Sequence, residues 1–411
     1  MSLPSEVDVA IIGAGAAGLG AARALEGSGL SVIVLEARDR VGGRAHTVLA
    51  AADITFDLGC GWLHSADKNS FVEIARQLNF AIDKTRPPWR EQGWDAGFPP
   101  SLRAEFIEAL DAFYNRAEEA AADPRDAAAS TCLDPGNRWN PMIDAISTYI
   151  NGATLDRVSL HDMDAYEDTE INWRVPRGYG ALIAAYSAPC PVALDAQVRS
   201  IDHSGKRVRI ETSRGTLGAN KVIVTVPTSL IASENIRFDP PLPAKVEAAR
   251  GLPLGVDDKV MLRLDEPGAL RNDVGLRGAT MRTAMGSFHI RPFGQPCIEG
   301  FFGGPFAREL EDAGAGAMAA QAIDEIVAML GSNYRSKLTP LVESRWAHDP
   351  FAQGAYSHAL PGHAGARAVL AAPVDGRLFF AGEATSPNFF STAHGARDTG
   401  ERAAREAAGG E

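Results

Sequence analysis

Three glycines near the start of the chain have the spacing that binds a dinucleotide phosphate. Gly13, Gly15 and Gly18 follow an apolar run, and Glu36 ends the next apolar run. Gly13 suits a tight turn, Gly15 lets the backbone approach a pyrophosphate at a positive helix end, and Gly18 lets helix and strand pack closely. Glu36 is expected to accept hydrogen bonds from ribose hydroxyls. The sequence therefore predicts a dinucleotide site at Gly13, Gly15, Ala17, Gly18 and Glu36.

A second stretch, FDLGCGWLHS, places bulky groups on a glycine-rich backbone. Gly59, Cys60 and Gly61 would let the chain run along the edge of a flat ligand, with Trp62 and His64 beside it. His64 is either a residue that faces a ligand or a buried histidine satisfied by a backbone carbonyl. Both interpretations stay open from the residues alone.

The elements that must position these residues alternate between strands and helices. Buried strands are expected over 7–12 and 31–35, with a helix of small residues between them. The βαβ pattern alone does not distinguish an FAD-binding site from an NAD-binding site. Strand signals return at 208–212 and 222–226, and the chain ends in a strand, a glycine turn and a small-faced helix. The nucleotide domain is therefore predicted to consist of three separated pieces.

A proline-rich stretch over 84–100 interrupts the pattern and is predicted to be a loop that enters a second domain. It contains Trp89 and Trp94. Ser101 follows it and is predicted to cap a helix with an apolar stripe.

Composition excludes several classes of protein. The 411 residues suggest two domains, and the net charge of −12 disfavours nucleic-acid binding. That charge suits cationic small molecules, although it equally suits simple solubility. The four cysteines have no metal-binding spacing, so we expect no metal and reduced thiols in a cytoplasmic protein. No apolar run is long enough to cross a membrane, so no membrane partner is expected.

The segment RVGGR directly after the second strand resembles the glutathione-reductase-type FAD enzymes. In that group the arginine at the position of Arg44 lies along the flavin and the phosphates. The resemblance implies FAD contacts at Ala37, Arg38, Gly43 and Arg44. The alternative is that Arg38 and Arg44 form a solvated basic turn.

Nearly the whole chain resembles the flavin-containing amine oxidases, which include polyamine oxidases, monoamine oxidases and histone lysine demethylases. The resemblance rests on the glycine fingerprint with RVGGR, on DLGCGWLH, GYGALI before VRSI, VIVTVP with FDPPLP, DKVMLRLD, SRWAHDPFAQGAYS, and LFFAGEAT followed by TAHGARDTG. It implies an α/β fold: a doubly wound FAD-binding domain of the glutathione-reductase type with an inserted α+β substrate domain. We expect the FAD-binding domain at 1–80, 175–243 and 350–411, and the substrate-binding domain at 81–174 and 244–349.

The resemblance also implies roles for residues far from the fingerprint. Val198 is expected to hold the adenine through its backbone, and Gly382 and Glu383 to lie near the ribityl and phosphate chain. Thr392, Ala393 and His394 would open the last helix, whose amides would face the flavin pyrimidine. The implied catalytic residues are Lys259, which would hold a water at flavin N5, His64 in an amine tunnel, and the aromatic pair Trp346 and Tyr356. Without the resemblance, Lys259 would read as a surface lysine and the aromatic pair as core.

Three positions differ from the pattern of particular members of the family, and these differences indicate which subgroup the chain resembles. Ala355 stands where monoamine oxidases carry the cysteine that bonds to flavin, so FAD is expected to be non-covalent. Thr392 stands where those enzymes have a second aromatic wall, and Leu63 lies near the position of the arginine with which amino-acid oxidases bind a carboxylate. These differences favour the polyamine-oxidase pattern.

The activity implied by the resemblance is oxidation of a primary or secondary, polyamine-like amine to an imine. The imine is hydrolysed to an aldehyde, and O2 is reduced to H2O2. The expected partners are the amine and O2. Alternatives are an amino-acid or other flavin oxidase or desaturase on the same fold, and a flavoprotein scaffold without turnover. Glu167, Asp168 and Glu170 could attract a distal ammonium or form a solvated turn.

Overall fold

The computed structural model describes residues 3–90, 97–268, 270–278 and 281–409, and these form an eight-stranded sheet, a five-stranded sheet and two two-stranded sheets, with helices around them. The strands are β1 Glu6–Ile12, β2 Val32–Leu35, β3 Thr47–Ala51, β4 Ile54–Asp57, β5 Trp62–Leu63, β6 Trp173–Arg174, β7 Val192–Ala193, β8 Val198–Asp202, β9 Val208–Thr212, β10 Gly215–Val224, β11 Arg237–Asp239, β12 Asp257–Leu264, β13 Val274–Leu276, β14 Ser287–Ile290, β15 Cys297–Gly303, β16 Leu338–Glu343 and β17 Leu378–Phe380. The helices are α1 Ala16–Ala24, α2 Ser70–Gln77, α3 Pro100–Ala121, α4 Asn140–Ile150, α5 Leu160–Ala165, α6 Tyr179–Tyr186, α7 Thr228–Ala232, α8 Pro243–Arg250, α9 Gly304–Asp312, α10 Ala317–Leu330, α11 Ala366–Ala371 and α12 Ala393–Ala408. Trp94 lies outside the described residues.

The larger sheet carries the nucleotide-binding pattern that the sequence predicts. Its strands β17, β10, β1, β2 and β7 pair in parallel in that order. The first half of β10 pairs antiparallel with β9, and β9 pairs with β8, which forms the meander expected around 208–212. The carboxyl ends of parallel strands meet at one edge of a sheet, so the glycine turn after β1 and Glu36 after β2 lie at the same edge.

The core of this sheet is apolar on both faces, as a parallel sheet covered by helices requires. One face packs against α1 and α12, where Leu19, Ala21, Ala403 and Ala404 are buried. The small side chains of α1 and α12 allow the two helices to pack closely. The small residues that the sequence shows in its last helix therefore serve this packing.

The second sheet is antiparallel, in the order β13, β14, β15, β12 and β16. One face of this sheet forms a core with α9 and α10. The helices α3, α4 and α5 form a separate apolar cluster. The helix α3 begins at Pro100 with Pro99 as N-cap, so the prediction that Ser101 caps it is wrong. A proline in the first helical turn has its φ preset and loses no intrahelical hydrogen bond.

The division into two domains stays a proposal, and the contacts of α8 bear on one boundary. Ala248, Ala249 and Leu252 belong to the core beside the larger sheet. These contacts favour placing the boundary after residue 252 rather than after 243. The strands of the eight-stranded and five-stranded sheets fall within the segments expected for the FAD-binding and substrate-binding domains, respectively.

Candidate active site

A single cavity of about 1550 Å³ brings together most of the residues singled out from the sequence. The predicted residues that line it are Gly13, Gly15, Glu36, Ala37, Arg38, Gly43, Arg44, Gly59, Cys60, Gly61, Trp62, His64, Val198, Lys259, Trp346, Tyr356, Glu383, Thr392 and Ala393. Those that lie behind its wall are Ala17, Gly18, Gly382 and His394. The cavity therefore spans both sheets, from the carboxyl edge of β1 to the face of β12.

The glycine turn at the cavity's nucleotide end is open where a phosphate would need space. A Cβ added to Gly15 would meet nothing within 4 Å, and Gly15 is the N-cap of α1. A Cβ on Gly18, in contrast, would overlap the carbonyl oxygen of Gly13, so Gly18 serves helix packing. The free amides and positive end of α1 thus face open space that fits a pyrophosphate.

Glu36 is buried at the end of β2 and has two backbone partners. Its Oε2 accepts from the amide of Ala14 at 2.7 Å and its Oε1 from the amide of Arg38 at 2.9 Å. A carboxylate offers about four acceptor positions, so two remain for ribose hydroxyls. Val198, predicted to hold the adenine, lies at the start of β8 and lines the same cavity.

Arg38 and Arg44, which follow β2, are both held by hydrogen bonds to distant segments. An Arg38 Nη2 donates to Asp349 Oδ1 at 2.5 Å, and Arg44 Nη1 donates to the carbonyl of Ala355 at 2.7 Å and to Glu383 Oε1 at 2.9 Å. Both side chains are partly buried. These contacts argue against the solvated basic turn and hold Arg44 at the cavity wall.

Glu383 is buried and charged. Its Oε2 accepts from the Ser357 hydroxyl at 2.7 Å and the Ser391 amide at 3.0 Å. Burial raises the pKa of this carboxyl, but Arg44, Ser357 and Arg367 together bring the pKa below its usual value. Glu383 therefore orders the loop before α12 and fixes Arg44.

The start of α12 presents backbone rather than a histidine side chain to the cavity. Thr392 is the N-cap, and its Oγ1 accepts from the amide of Gly395 at 3.0 Å. His394 is 1% exposed, its Nδ1 lies 3.2 Å from Asn69 Nδ2, and its Nε2 has no hydrogen-bond partner among the described residues. Burial lowers the pKa of His394 to about 4, so the ring is neutral.

Lys259 lies on β12 and is 6% exposed, which rules out the surface-lysine interpretation. Its Nζ donates to the carbonyl of Asp57 at 3.2 Å and pairs with Glu299 Oε1 at 3.3 Å. Burial lowers the pKa of Lys259, but the carboxylates of Glu299, Asp57 and Asp257 overcome that effect and raise it above 10.5. Lys259 therefore stays protonated at the cavity wall.

His64 is half-buried and oriented by a side chain rather than by a backbone carbonyl. Its Nδ1 lies 2.7 Å from the amide oxygen of Asn172. Because an amide oxygen only accepts, this bond places the proton on Nδ1 and leaves Nε2 as an acceptor. Burial lowers the pKa of His64, while Asn172 and Asp168 oppose the shift only in part.

Aromatic rings surround His64. Trp62 packs against Trp89 with ring centroids 5.0 Å apart, and the guanidinium of Arg174 lies 5.2 Å over the Trp62 ring. The His64 ring lies 6.1 Å from Trp89. The sequence predicted the stretch that contains Trp89 only as a loop, so the position of Trp89 at this site was not predicted.

Trp346 and Tyr356 are held by backbone carbonyls. Trp346 Nε1 donates to Leu58 at 2.9 Å, and the Tyr356 hydroxyl donates to Tyr149. Burial raises the pKa of the Cys60 thiol to about 12, so Cys60 is not a nucleophile at neutral pH. These groups give the cavity rigid, mostly apolar walls at this end.

The remaining wall is built by α3, α4 and the segment after α5. Apolar side chains there include Phe106, Leu110 and Ile146. Of the acids considered earlier, Asp168 and Glu170 line the cavity, whereas Glu167 pairs with Lys68 at 2.7 Å outside it. The cavity thus combines an apolar wall with a few carboxylates.

The part of the chain that the structure describes lacks two other features. It contains no group of three or more His, Cys, Asp or Glu placed to hold a metal ion. None of its helices is both long enough and apolar enough to span a bilayer.

Comparison with known proteins gives concordant matches. Residues 16–408 match the family model described as flavin containing amine oxidoreductase. Polyamine oxidase 4 of Oryza sativa subsp. japonica is 29% identical over 98% of this chain and 88% of its own length. Lysine-specific histone demethylase 1 homolog 1 of the same plant is 30% identical over 98% of this chain, which spans about half (52%) of that relative. A structure of wild-type putrescine oxidase bound to putrescine has the same fold, with a TM-score of 0.79, 21% identity and coverage of 98% of this chain and 99% of that chain.

Proposed function

Because the chain belongs to the flavin-containing amine oxidoreductase family, we propose that it oxidises a primary or secondary amine of the polyamine type, with FAD as cofactor and O2 as electron acceptor. One observation carries the proposal: the glycine cradle around Gly15 and the aromatic end around Trp62 line the same cavity. The open space at Gly15 and the free acceptor positions of Glu36 fit a dinucleotide. A flavin bound there would accept a hydride from the carbon next to the amine nitrogen.

The chain's own residues supply orientation and exclude water. Trp62, Trp346 and Tyr356 form fixed aromatic walls, which favours an uncharged substrate nitrogen at that end. The free Nε2 of His64 can accept a hydrogen bond from an amine N–H. Lys259 supplies a fixed positive charge, which favours electron density developing nearby.

A polyamine is supported by charge. The chain carries 52 acidic against 40 basic residues, and Asp168 and Glu170 line the cavity where they can attract a second ammonium group. The relative named polyamine oxidase 4 aligns over nearly the whole chain. The imine product would be hydrolysed to an aldehyde, and O2 would be reduced to H2O2.

We propose that FAD is bound without a covalent bond, because Ala355 offers no sulfur and the Cys60 thiol, which also lines the cavity, has a pKa raised to about 12 by burial. Acid precipitation of the yellow protein should then leave the colour in the supernatant. Yellow colour retained in a washed pellet would contradict this mode of binding.

The proposed activity is tested by bleaching of the flavin without oxygen, followed by peroxide release on admission of air. The panel should contain diamines, polyamines, apolar monoamines and amino acids. We expect di- and polyamines to bleach the flavin fastest. Bleaching only by amino acids would favour the amino-acid oxidase alternative, and no bleaching by any compound would favour a scaffold without turnover.

A further inference from the structure

Two neighbouring acids on β12 point to opposite sides of the sheet. In a strand, successive side chains alternate, so Asp257 and Lys259 share one face and Asp258 lies on the other. Asp258 is fully buried, and its Oδ1 accepts from the Ser344 hydroxyl at 2.8 Å and the Trp346 amide at 3.0 Å. Asp257 instead lines the cavity beside Lys259. Each acid has one oxygen without a partner in the described part of the chain, but of the two only Asp257 faces the cavity, so Asp258 acts in the packing of β12 and the role of Asp257 is open.

The carboxyl of Asp257 is incompletely satisfied. Its buried Oδ1 has no hydrogen-bond partner among the described residues. The Tyr149 hydroxyl donates to the Met285 carbonyl, and the Tyr356 hydroxyl donates to the Tyr149 carbonyl while also interacting with the Asp257 carboxyl, so neither phenol satisfies Oδ1. A buried carboxylate oxygen without a donor is unfavourable unless the group takes up a proton.

The titratable groups that face Asp257 come from four elements. Lys259 lies on its own strand, Glu299 on β15, Tyr356 in the segment after β16 and Tyr149 on α4. Burial raises the pKa of Asp257 to about 8 and Glu299 adds to the rise, while Lys259 and Tyr356 act against it. Asp257 can therefore exchange a proton in the range where an amine oxidase would work.

The proposed reaction requires such an exchange. A free alkylamine has a pKa near that of lysine, about 10.4, so it arrives as the ammonium ion. Hydride can leave the neighbouring carbon only when nitrogen has its lone pair. Lys259 already holds a proton, and the lowered pKa of His64 makes it the weaker base.

We propose that Asp257 is a catalytic residue that accepts the proton of the bound substrate ammonium. The inference rests on the proposed amine oxidation. One N–H bond breaks, one O–H bond forms on the Asp257 carboxylate, and the bonding pair stays on nitrogen as its lone pair. No electron leaves the amine in this step, and the proton later passes to solvent. Burial favours the transfer because it converts an ion pair into two neutral groups.

The first test measures protons released on binding and needs no turnover. The probe is the α,α-dimethyl analogue of the best substrate, which has no hydrogen on the carbon next to nitrogen. Calorimetry in buffers of different ionisation enthalpy should show about one proton released at pH 6.5 and nearly none at pH 9.5, because Asp257 is protonated before binding only at the lower pH. A release that does not change with pH in the wild-type protein would overturn the proposal.

The second test uses Asp257→Asn, with Asp265→Asn as the matched control. Asp265 is an exposed aspartate that directly follows the same strand. Asp257→Asn should abolish the pH dependence of proton release and slow anaerobic flavin bleaching about 100-fold or more at pH 7.5. Asp265→Asn should match the wild type in both measurements.

The outcomes separate this inference from the proposed function. If amines bleach the wild type and Asp257→Asn bleaches equally fast, the amine oxidase stands and Asp257 is not its base. If no amine bleaches the wild type, the proposed function falls and the inference falls with it. Flavin content and melting temperature show whether Asp257→Asn folds. If it does not fold, the pH dependence of proton release by the wild-type protein tests the proposal by itself.

Discussion

Replacing Lys259 by methionine should affect both stability and flavin chemistry, and the structure allows the two effects to be separated. The Lys259 side chain is 7% exposed and that of its partner Glu299 is 13% exposed. Methionine fills similar space but leaves the Glu299 carboxylate without its cation. Removing one member of a buried ion pair typically costs about 3–5 kcal/mol, so Lys259→Met should lower the free energy of unfolding by roughly 3 kcal/mol or more.

The pH at which this loss is measured follows from the pKa of Lys259. Its folded value is raised above the unfolded value of 10.5, so its stabilisation is complete below pH 10.5 and is lost as pH rises through the folded value. Urea unfolding at pH 8, with saturating flavin and circular dichroism as the signal, therefore sees the whole effect. The wild-type and variant curves should differ in midpoint but not in slope.

A double variant, Lys259→Met with Glu299→Gln, removes both charges together. Replacing a buried ion pair by uncharged groups is often close to neutral, so most of the lost stability should return. Stopped-flow rates of flavin reduction and reoxidation should stay low, because the cation is still missing. If Lys259→Met alone unfolds like the wild type, the reasoning about the buried pair is wrong; if the double variant regains full rates, the charge has no part in the chemistry.

Three further predictions concern other parts of the cavity. Gly15→Asp should fold, since its Cβ meets nothing within 4 Å, but should purify without flavin because a carboxylate would face the pyrophosphate; a yellow variant would show that the phosphate lies elsewhere. His64→Ala should lower amine oxidation about threefold to tenfold with FAD content unchanged, and Asn172→Ala should lower it in the same direction; the pKa of His64 is lowered, so only the limb of the kcat/KM profile below pH 6.5 should change. Iodoacetamide at pH 8 should label Cys60 slowly in the native protein, since the pKa of its thiol is raised to about 12, and rapidly after unfolding; rapid native labelling would contradict the raised pKa of this thiol.

Local patterns were sufficient to predict the nucleotide-binding half of the fold. The strand, the glycine turn and α1 occupy about 20 consecutive residues, so their geometry follows from short-range rules of spacing and conformation. The meander at 208–212 and the helix after β17 were predicted for the same reason. The prediction that Ser101 caps α3 was wrong because α3 begins at Pro100. A proline at this position has no backbone N–H, so it leaves no donor that a side-chain cap would have to satisfy.

The resemblance to a family located Lys259 and His64 but did not supply their partners. Asn172 lies 108 positions from His64, and Asp57 lies 202 positions from Lys259. No periodic pattern connects residues at such separations. The letters DDK in the sequence do contain one usable signal, because alternation along a strand places Asp257 with Lys259 and apart from Asp258.

The sequence predicts where a dinucleotide would bind and which strand carries Lys259, because these predictions depend on neighbours in the chain. The protonation states of the groups at the cavity, in contrast, depend on contacts that the fold creates between distant segments. Lys259 is charged because Glu299 on β15 and Asp57 at the end of β4 approach it, and Asp257 has a raised pKa because the fold buries its carboxyl. A pKa depends on burial and on charges within a few ångströms, and both are set by strand register and by the packing of distant segments.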